Sequence, residues 1–297
     1  MALPADGRMD VADTVGIGNA ISRLMSPAFK AGTFGLNLVY SETFSNLSNK
    51  LKFRKAGYLT AEAVAEGAVY LPSDANSQIV DTAVEVTAAK VVVGSPISYE
   101  AIKFGAGSAD VSRIAAEQGA AIARKFDFDL KALFDSVTNT ATAGSTLDVD
   151  TVLTGQYNVF NSECPTGSMV CVIDFKGLLE LQKLVASSGA AKYANQNQLT
   201  LLNGTPQANG FVGNYLGIDF YATNGLSTTG GDDQGVIFNP QWAFCCGLSG
   251  GIETEVYQTR MGVASQVAGL SWAVLSYMFY DVKVWNNTAI SEIRSDT

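Results

Sequence analysis

From Ala109 to Val137 the chain runs without a proline, and apolar residues return at Val111, Ala115, Ile122, Phe126, Leu130, Leu133 and Val137. That spacing describes one face of an α-helix. Gly119 holds the place on this face where a further apolar residue would fall, and Ser108 or Asp110 supplies the N-cap. At ~1.5 Å per residue the helix reaches about 43 Å. A compact chain of 297 residues has a radius of gyration of only about 19 Å. The pattern predicts a spine crossing most of the molecule, with the remainder built along it.

What precedes the spine is of two kinds. Residues 1–45 read as an arm: Gly7, Gly16, Gly18, Gly32 and Gly35 interrupt every period, and only a short helix near Ala20–Phe29 fits. A segment with so little to bury against itself is expected to lie on something else. Residues 48–93 read as a long hairpin. In its first limb Lys50, Lys52 and Arg54 alternate with Leu51 and Phe53; the return limb, Asp81–Val93, is rich in valine. Thr60–Asn76 lies between the limbs and carries Glu62, Glu66 and Asp74. A two-stranded excursion is marginal alone and calls for a neighbour to rest on.

After the spine the composition changes. Thr138–Thr146 has no charge and marks a boundary. Asp148 caps a helix with Val149, Val152, Leu153, Tyr157 and Phe160 as its apolar positions. Asp174 caps another, with Leu178, Leu181 and Val185, closing near Gly189. Strands are expected at Met169–Ile173, Phe211–Leu216, Ile218–Ala222, Val236–Phe238, Ala243–Cys246 and Ile252–Tyr257. A long late strand follows at Leu270–Trp285, with a short one at Thr288–Ile293. This is a mixed α+β chain. The late strand and the Asp81–Val93 strand are expected to lie along the spine. The uncharged run Gly262–Tyr280 contains Ser265, Gln266, Ser271 and Ser276 and reads as sheet, not as a membrane span.

Composition removes whole classes of chemistry. With no histidine, there is no Ser-His-Asp triad, Cys-His dyad or His-ligated zinc. Only 16% of residues are charged and the net charge is −9. A protein that grips phosphates is expected to be basic instead. No lysine or arginine occurs from Tyr193 to Thr259. Cys164, Cys171, Cys245 and Cys246 form no C-x-x-C pair and read as small buried hydrophobes. The first residues, MALPADGRMD, lack the apolar core of a secretory signal. No cofactor and no metal are expected.

The short motifs read as structure. Gly247-Leu248-Ser249-Gly250-Gly251 fits G-x-S-x-G, but the alternating Ile252–Val256 that follows is strand-like, where a nucleophile elbow needs a helix. Gly105-Ala106-Gly107 places Asp110 where a dinucleotide loop would have its third glycine, and Gly16-Ile17-Gly18 has neither strand nor helix context. Asp148/Asp150 reads as capping and Asp232/Asp233 as a turn. Glu253/Glu255 would share one solvated or intersubunit face of a strand. Lys50, Lys52, Arg54 and Lys55 form a basic run that reads as a solvated or intersubunit salt-bridging face.

The order of parts resembles the major capsid protein of tailed bacteriophages, the Hong Kong 97 fold, over essentially the whole chain. The resemblance is carried by Ala63-Val64-Ala65-Glu66-Gly67-Ala68 in the excursion, Val84–Ile102 with Ser95-Pro96-Ile97-Ser98 entering the spine, and Ala109–Asp135 as the spine. It continues through Val170-Cys171-Val172-Ile173-Asp174 leading into Leu178–Val185, and Gly213-Asn214-Tyr215-Leu216-Gly217-Ile218-Asp219 as strand–turn–strand. Gly235-Val236-Ile237-Phe238 through Ile252-Glu253-Thr254-Glu255, and then Leu270–Val284, complete it.

The resemblance implies an N-terminal arm over 1–45 and an extended β loop over 46–83. It implies a peripheral domain over 84–138 with 262–297, holding the long spine helix, and a mixed α/β axial domain over 139–261. It further implies a structural, non-enzymatic protein that self-assembles into the hexamers and pentamers of an icosahedral phage head around double-stranded DNA. The subunit would reside in the virion, having assembled in the host cytoplasm, with no membrane involved. A separate scaffolding protein is expected, because only about 45 residues precede the loop, together with a portal and a possible decoration protein. Low charge suits a subunit covered by its neighbours, and an acidic balance suits a container that contacts DNA weakly. On this reading Lys50, Lys52, Arg54 and Lys55 meet acids of a neighbour, Glu62 and Glu66 among them, and Gly119 is the weak point at which the spine bends. The rival readings are an encapsulin-type compartment of the same fold and a His-free hydrolase using Ser249 or carboxylates.

Overall fold

The computed structural model describes residues 11–45, 48–56, 81–98, 108–142, 146–161, 167–187, 210–226, 233–260 and 270–295. Its first element, α1 (Val11–Gly32), is longer than the short helix expected. Ile21, Met25 and Phe29, spaced i, i+4, i+8, are all buried. The arm therefore lies on its own chain, filling the space between the spine and a β-strand. Its glycines permit this. A Cβ on Gly18 would sit 2.7 Å from the Thr254 carbonyl oxygen, so only glycine allows the helix so near the strand. Gly16-Ile17-Gly18 is thus helix interior, and no phosphate loop can form there.

The spine, α2 (Ser108–Ala132), is the long helix the periodicity predicts. Ala115, Ile122, Phe126 and Leu130 are fully buried. It stops before Val137. Leu133 is a turn residue, Phe134–Ser136 form a single 3-10 turn, and the Ser136 hydroxyl donates to the Leu133 carbonyl at 2.6 Å. Serine here competes for a carbonyl that helix continuation would need. Phe134 and Val137 nevertheless stay buried, so the apolar period outlasts the helix.

Two larger sheets are formed, and the first packs on the spine. The first contains β1 (Tyr40–Thr43), β4 (Ala89–Ser98), β10 (Phe244–Leu248), β11 (Glu253–Arg260) and the long β12 (Leu270–Val284). β12 pairs antiparallel with β10 through Tyr280–Val284, with β11 through Leu270–Tyr277 and with β4 through Ser271–Tyr280. The Leu270–Tyr280 part of the uncharged run is therefore sheet, as expected. Among the described residues no helix is long and apolar enough to cross a membrane. The buried Gln118 fastens the spine to this sheet: its amide donates to Ser95 Oγ and the Val274 carbonyl, both at 3.0 Å, and accepts from Ser276 Oγ at 2.6 Å.

The second sheet has the order β5-β13-β9-β6-β8-β7. Its strands are β5 (Thr140–Thr142), β6 (Met169–Ile173), β7 (Phe211–Tyr215), β8 (Ile218–Ala222), β9 (Asp233–Phe238) and β13 (Ile290–Ser295). The β7–β8 turn is Leu216-Gly217, both at positive φ, the left-handed pair a two-residue hairpin requires. Asp233 opens β9 and is not a turn residue. Two helices accompany this sheet: α3 (Val149–Asn161), capped by Asp148 Oδ1 on the Thr151 N–H at 2.7 Å, and α4 (Phe175–Ser187), capped by Asp174 Oδ1 on the Gly177 N–H at 2.7 Å. Both caps are those the sequence predicts. The remaining strands, β2 (Lys50–Ala56) and β3 (Asp81–Thr87), make a separate two-stranded hairpin.

Candidate functional site

The hairpin shows its alternation in burial. Phe53 and Val86 are buried together with Cys245, and Lys52 and Arg54 are exposed. Phe53 enters an aromatic cluster that sequence reading did not foresee. Its ring lies 6.0 Å from Tyr40 and 6.1 Å from Trp285. Trp285 stacks on Tyr40 at 5.4 Å and on Trp242 at 5.5 Å. The hairpin is thus seated on β1 and the end of β12 through edge-on and tilted contacts of Phe53 with these rings, a geometry worth more than area burial alone. Backbone ties reinforce the seat: Lys283 Nζ donates to the Glu85 carbonyl at 2.8 Å, and the Thr87 N–H donates to Asp281 Oδ2 at 3.2 Å.

Of the basic run, Lys50 pairs with Glu85 across the hairpin, within its own chain. That hydrogen bond, with the nearby Lys52 and Lys283 charges, holds the Glu85 carboxyl below its usual range. Lys52 lies directly opposite Glu85 in the strand register, and Arg54 lies opposite Ala83. The Lys55 side chain, Glu62 and Glu66 fall outside the described residues, as do Asp232, Cys164 and Gly105-Ala106-Gly107.

The candidate catalytic groups are built into turns and strands. Ser249 donates its hydroxyl hydrogen to the Gly251 carbonyl at 3.2 Å and accepts from the Phe279 N–H at 3.2 Å, so it closes the β10–β11 turn. A strand follows it, where an elbow needs a helix. Glu253 and Glu255 do share a face of β11, and the Tyr277 hydroxyl donates to both, at 2.6 and 3.0 Å. The two carboxylates push that phenol above its ordinary range, with Glu253 the larger influence. The tyrosine hydroxyl thus bridges the two exposed carboxylates on the face they share. Among the described residues no group of His, Cys, Asp and Glu could hold a metal ion. Cys171, Cys245 and Cys246 are buried free thiols; burial, followed by the Asp281 charge, pushes Cys245 up to about 12. Such thiols are poor nucleophiles.

A different surface stands out. Six of the ten large apolar side chains exposed among the described residues are on α3 and α4: Leu153, Tyr157, Phe160, Phe175, Leu179 and Leu184. The sequence places Leu153, Tyr157 and Phe160 on the core side of α3. The helix instead buries Thr151, Val152, Gly155 and Val159. Gly155 decides the rotation, because a Cβ there would sit 3.1 Å from Ile237 Cδ1, and the helix can approach the sheet closely only along that line.

No protein-family model matches the chain, and no curated protein matches it. Solved structures do. A structure of Mycobacterium phage Che8 is 18% identical, with a TM-score of 0.63, covering 88% of this chain and 90% of that one. The capsid structure of the cyanophage P-SCSP1u is 14% identical, with a TM-score of 0.62 and 89% of each chain covered. A virus-like particle from Pyrococcus furiosus is 10% identical, with a TM-score of 0.57, covering 93% of this chain and 98% of that one. The fold is the Hong Kong 97-type capsid fold.

Proposed function

We propose that the chain is the structural subunit of a closed protein shell, the major capsid protein of a tailed-phage head. The observation that carries the reading is the end-to-end fold match to phage capsid structures, with some nine-tenths of each chain superposed. Three features of the chain support it. The hairpin β2–β3 is a separate sheet of two strands, a form that gains stability from a neighbour. The outward faces of α3 and α4 are apolar. The groups able to do chemistry are engaged in turns, caps and strand pairs.

In this role copies form hexamers and pentamers that tile an icosahedral head around double-stranded DNA, and the chain acts without catalysis. On this reading residues 1–45 are the arm, 46–83 the extended loop, 84–138 with 262–297 the peripheral domain and 139–261 the axial domain. A separate scaffolding protein and a portal are its partners, and the virion is its final location. The net charge of −9 favours weak contact with the enclosed DNA.

The test is to express the full chain, alone and with its scaffolding partner, and to examine it by electron microscopy and sedimentation. Closed shells of uniform diameter are expected. A monodisperse, folded monomer at high concentration under both conditions would remove the proposal. The likeness to the Pyrococcus furiosus particle favours a second reading, an encapsulin-type compartment. Particles from the native source that contain protein cargo and no nucleic acid would select it.

A further inference from the structure

On α3 the outward residues Leu153, Tyr157 and Phe160 lie at i, i+4 and i+7, within a sector of roughly 60°. They are 41%, 64% and 40% exposed. The helix carries one charged residue, the exposed Asp150, which lies on the same side of the helix. On α4, Leu178 and Leu181 face the core, and Phe175 and Leu179 face outward at i and i+4. Beside Leu179 run two exposed lysines, Lys176 and Lys183. The acid of α4, Glu180, accepts from the Leu147 N–H at 2.8 Å, which ties α4 to the start of α3. The chain thus displays one apolar face edged with negative charge and another edged with positive charge.

We propose that the outer face of α3 on one copy seats against the outer face of α4 on a neighbouring copy. This rests on the shell-subunit reading above and names the surface by which neighbouring copies recognise each other. The charges decide the pairing. Two α3 faces would bring Asp150 against Asp150, and two α4 faces would bring lysines against lysines. The mixed contact sets Asp150 against Lys176 and Lys183 while the aromatic and aliphatic residues interdigitate. A second copy is the occupant for which both faces are always present in equal number.

The full-length chain provides the test. Leu153→Asp with Tyr157→Asp should leave the subunit folded, as judged by circular dichroism and thermal melting, and lower shell yield at least about tenfold. Asp150→Lys should also lower the yield, and adding Lys176→Asp with Lys183→Asp should restore it. As an assay independent of yield, chains carrying Tyr157→Cys are mixed with chains carrying Leu179→Cys and oxidised. A disulfide between the two is expected only in the mixture. Cross-linking of the Tyr157→Cys chain with itself would show a two-fold contact and overturn the proposal. So would wild-type shells accompanied by undiminished yield from the Asp variant and no cross-link. Failure of the wild-type chain to assemble at all would instead remove the shell-subunit reading, and this inference with it.

Discussion

Gly119 in the spine lies so close to Ala28 in α1 that a Cβ added to Gly119 would sit 3.0 Å from the Ala28 Cβ and 3.1 Å from the Met25 carbonyl oxygen. The arm helix crosses the spine at the one position where the spine has no side chain. As a sequence feature Gly119 reads as a weak point for bending. The structure adds that it is the seat of α1. Backbone atoms of Met25 and Phe29 line the contact and cannot rotate away, so a side chain there must displace the helix.

Gly119→Ala should therefore destabilise the subunit by about 1–3 kcal/mol despite the higher helix propensity of alanine. Gly119→Val should cost more. Urea denaturation with tryptophan fluorescence measures the change, and amide exchange shows whether α1 loosens first. A stability gain in Gly119→Ala would mean that propensity outweighs packing, and the seat would not be the reason for glycine.

The spine, most strands and both aspartate caps were legible because each is written locally: a period, an alternation, or an acid three residues before the N–H it caps. The β8 bounds, Ile218–Ala222, coincide with the run read from the sequence. The arm was legible only in part. Ile21, Met25 and Phe29 are helical in spacing, but glycines at positions 16, 18 and 32 suppress the pattern, and Gly18 and Gly32 make sense only once Thr254 and the spine are beside them. The α3 face misled for the opposite reason. Leu153, Tyr157 and Phe160 form the more apolar stripe, and the helix turns it outward. On a subunit with neighbours, the strongest apolar face need not point to its own core. Gln118 did leave a signal: a polar residue three after Ala115 and four before Ile122, on the buried face. The Tyr40–Trp242–Trp285 cluster left none, since its members meet from three distant segments.

Asp127 fixes the end of the arm. Its carboxylate accepts from Thr33 Oγ1 at 2.5 Å, the Gly35 N–H at 3.1 Å and the Phe34 N–H at 3.3 Å. Burial raises its pKa above the ordinary 3.8, against the opposing pull of these hydrogen bonds and of Lys131. A carboxyl with a raised folded-state pKa binds its proton more tightly in the native state than in the unfolded chain. Its contribution to stability is then greatest at acid pH and declines as pH rises through the raised value. The stability difference between wild type and Asp127→Asn should accordingly shift toward the wild type as pH is lowered from 7 to about 4. Asp127→Ala, which strands three donors, should cost about 2–4 kcal/mol at neutral pH. A wild-type-minus-Asn difference that does not vary with pH would show that Asp127 titrates normally.

Trp285 tests how the hairpin is held. It touches Tyr40, Phe53 and Trp242, which come from β1, β2 and the segment before β10. Trp285→Ala should remove about 3 kcal/mol, and the loss should concentrate in β2 and β3. Hydrogen exchange followed by mass spectrometry would then show faster exchange in 50–56 and 81–87, with α2 unchanged. Uniform acceleration across the chain would instead make Trp285 part of the global core.

The basic limb of the hairpin gives the last prediction. Lys50 pairs with Glu85, and Lys52 and Arg54 are exposed on the face of a strand whose other face is seated on aromatic rings. Each exposed pair contributes little alone, but a closed shell repeats the contact in every subunit, so small terms sum. Reversing Lys52 and Arg54 to Glu should leave a subunit with an unchanged far-ultraviolet spectrum and prevent shell closure. Lys52→Glu also faces Glu85 across the hairpin, so the neutral pair Lys52→Gln with Arg54→Gln, which adds no like charge beside Glu85, is the control for local repulsion. If the charges guide register, raising the salt from 0.05 to 0.5 M should slow wild-type assembly, because the Debye length falls from about 14 to about 4 Å. It should slow the double variant no further. Shells forming at the wild-type rate from the double variant would assign the limb to solvent.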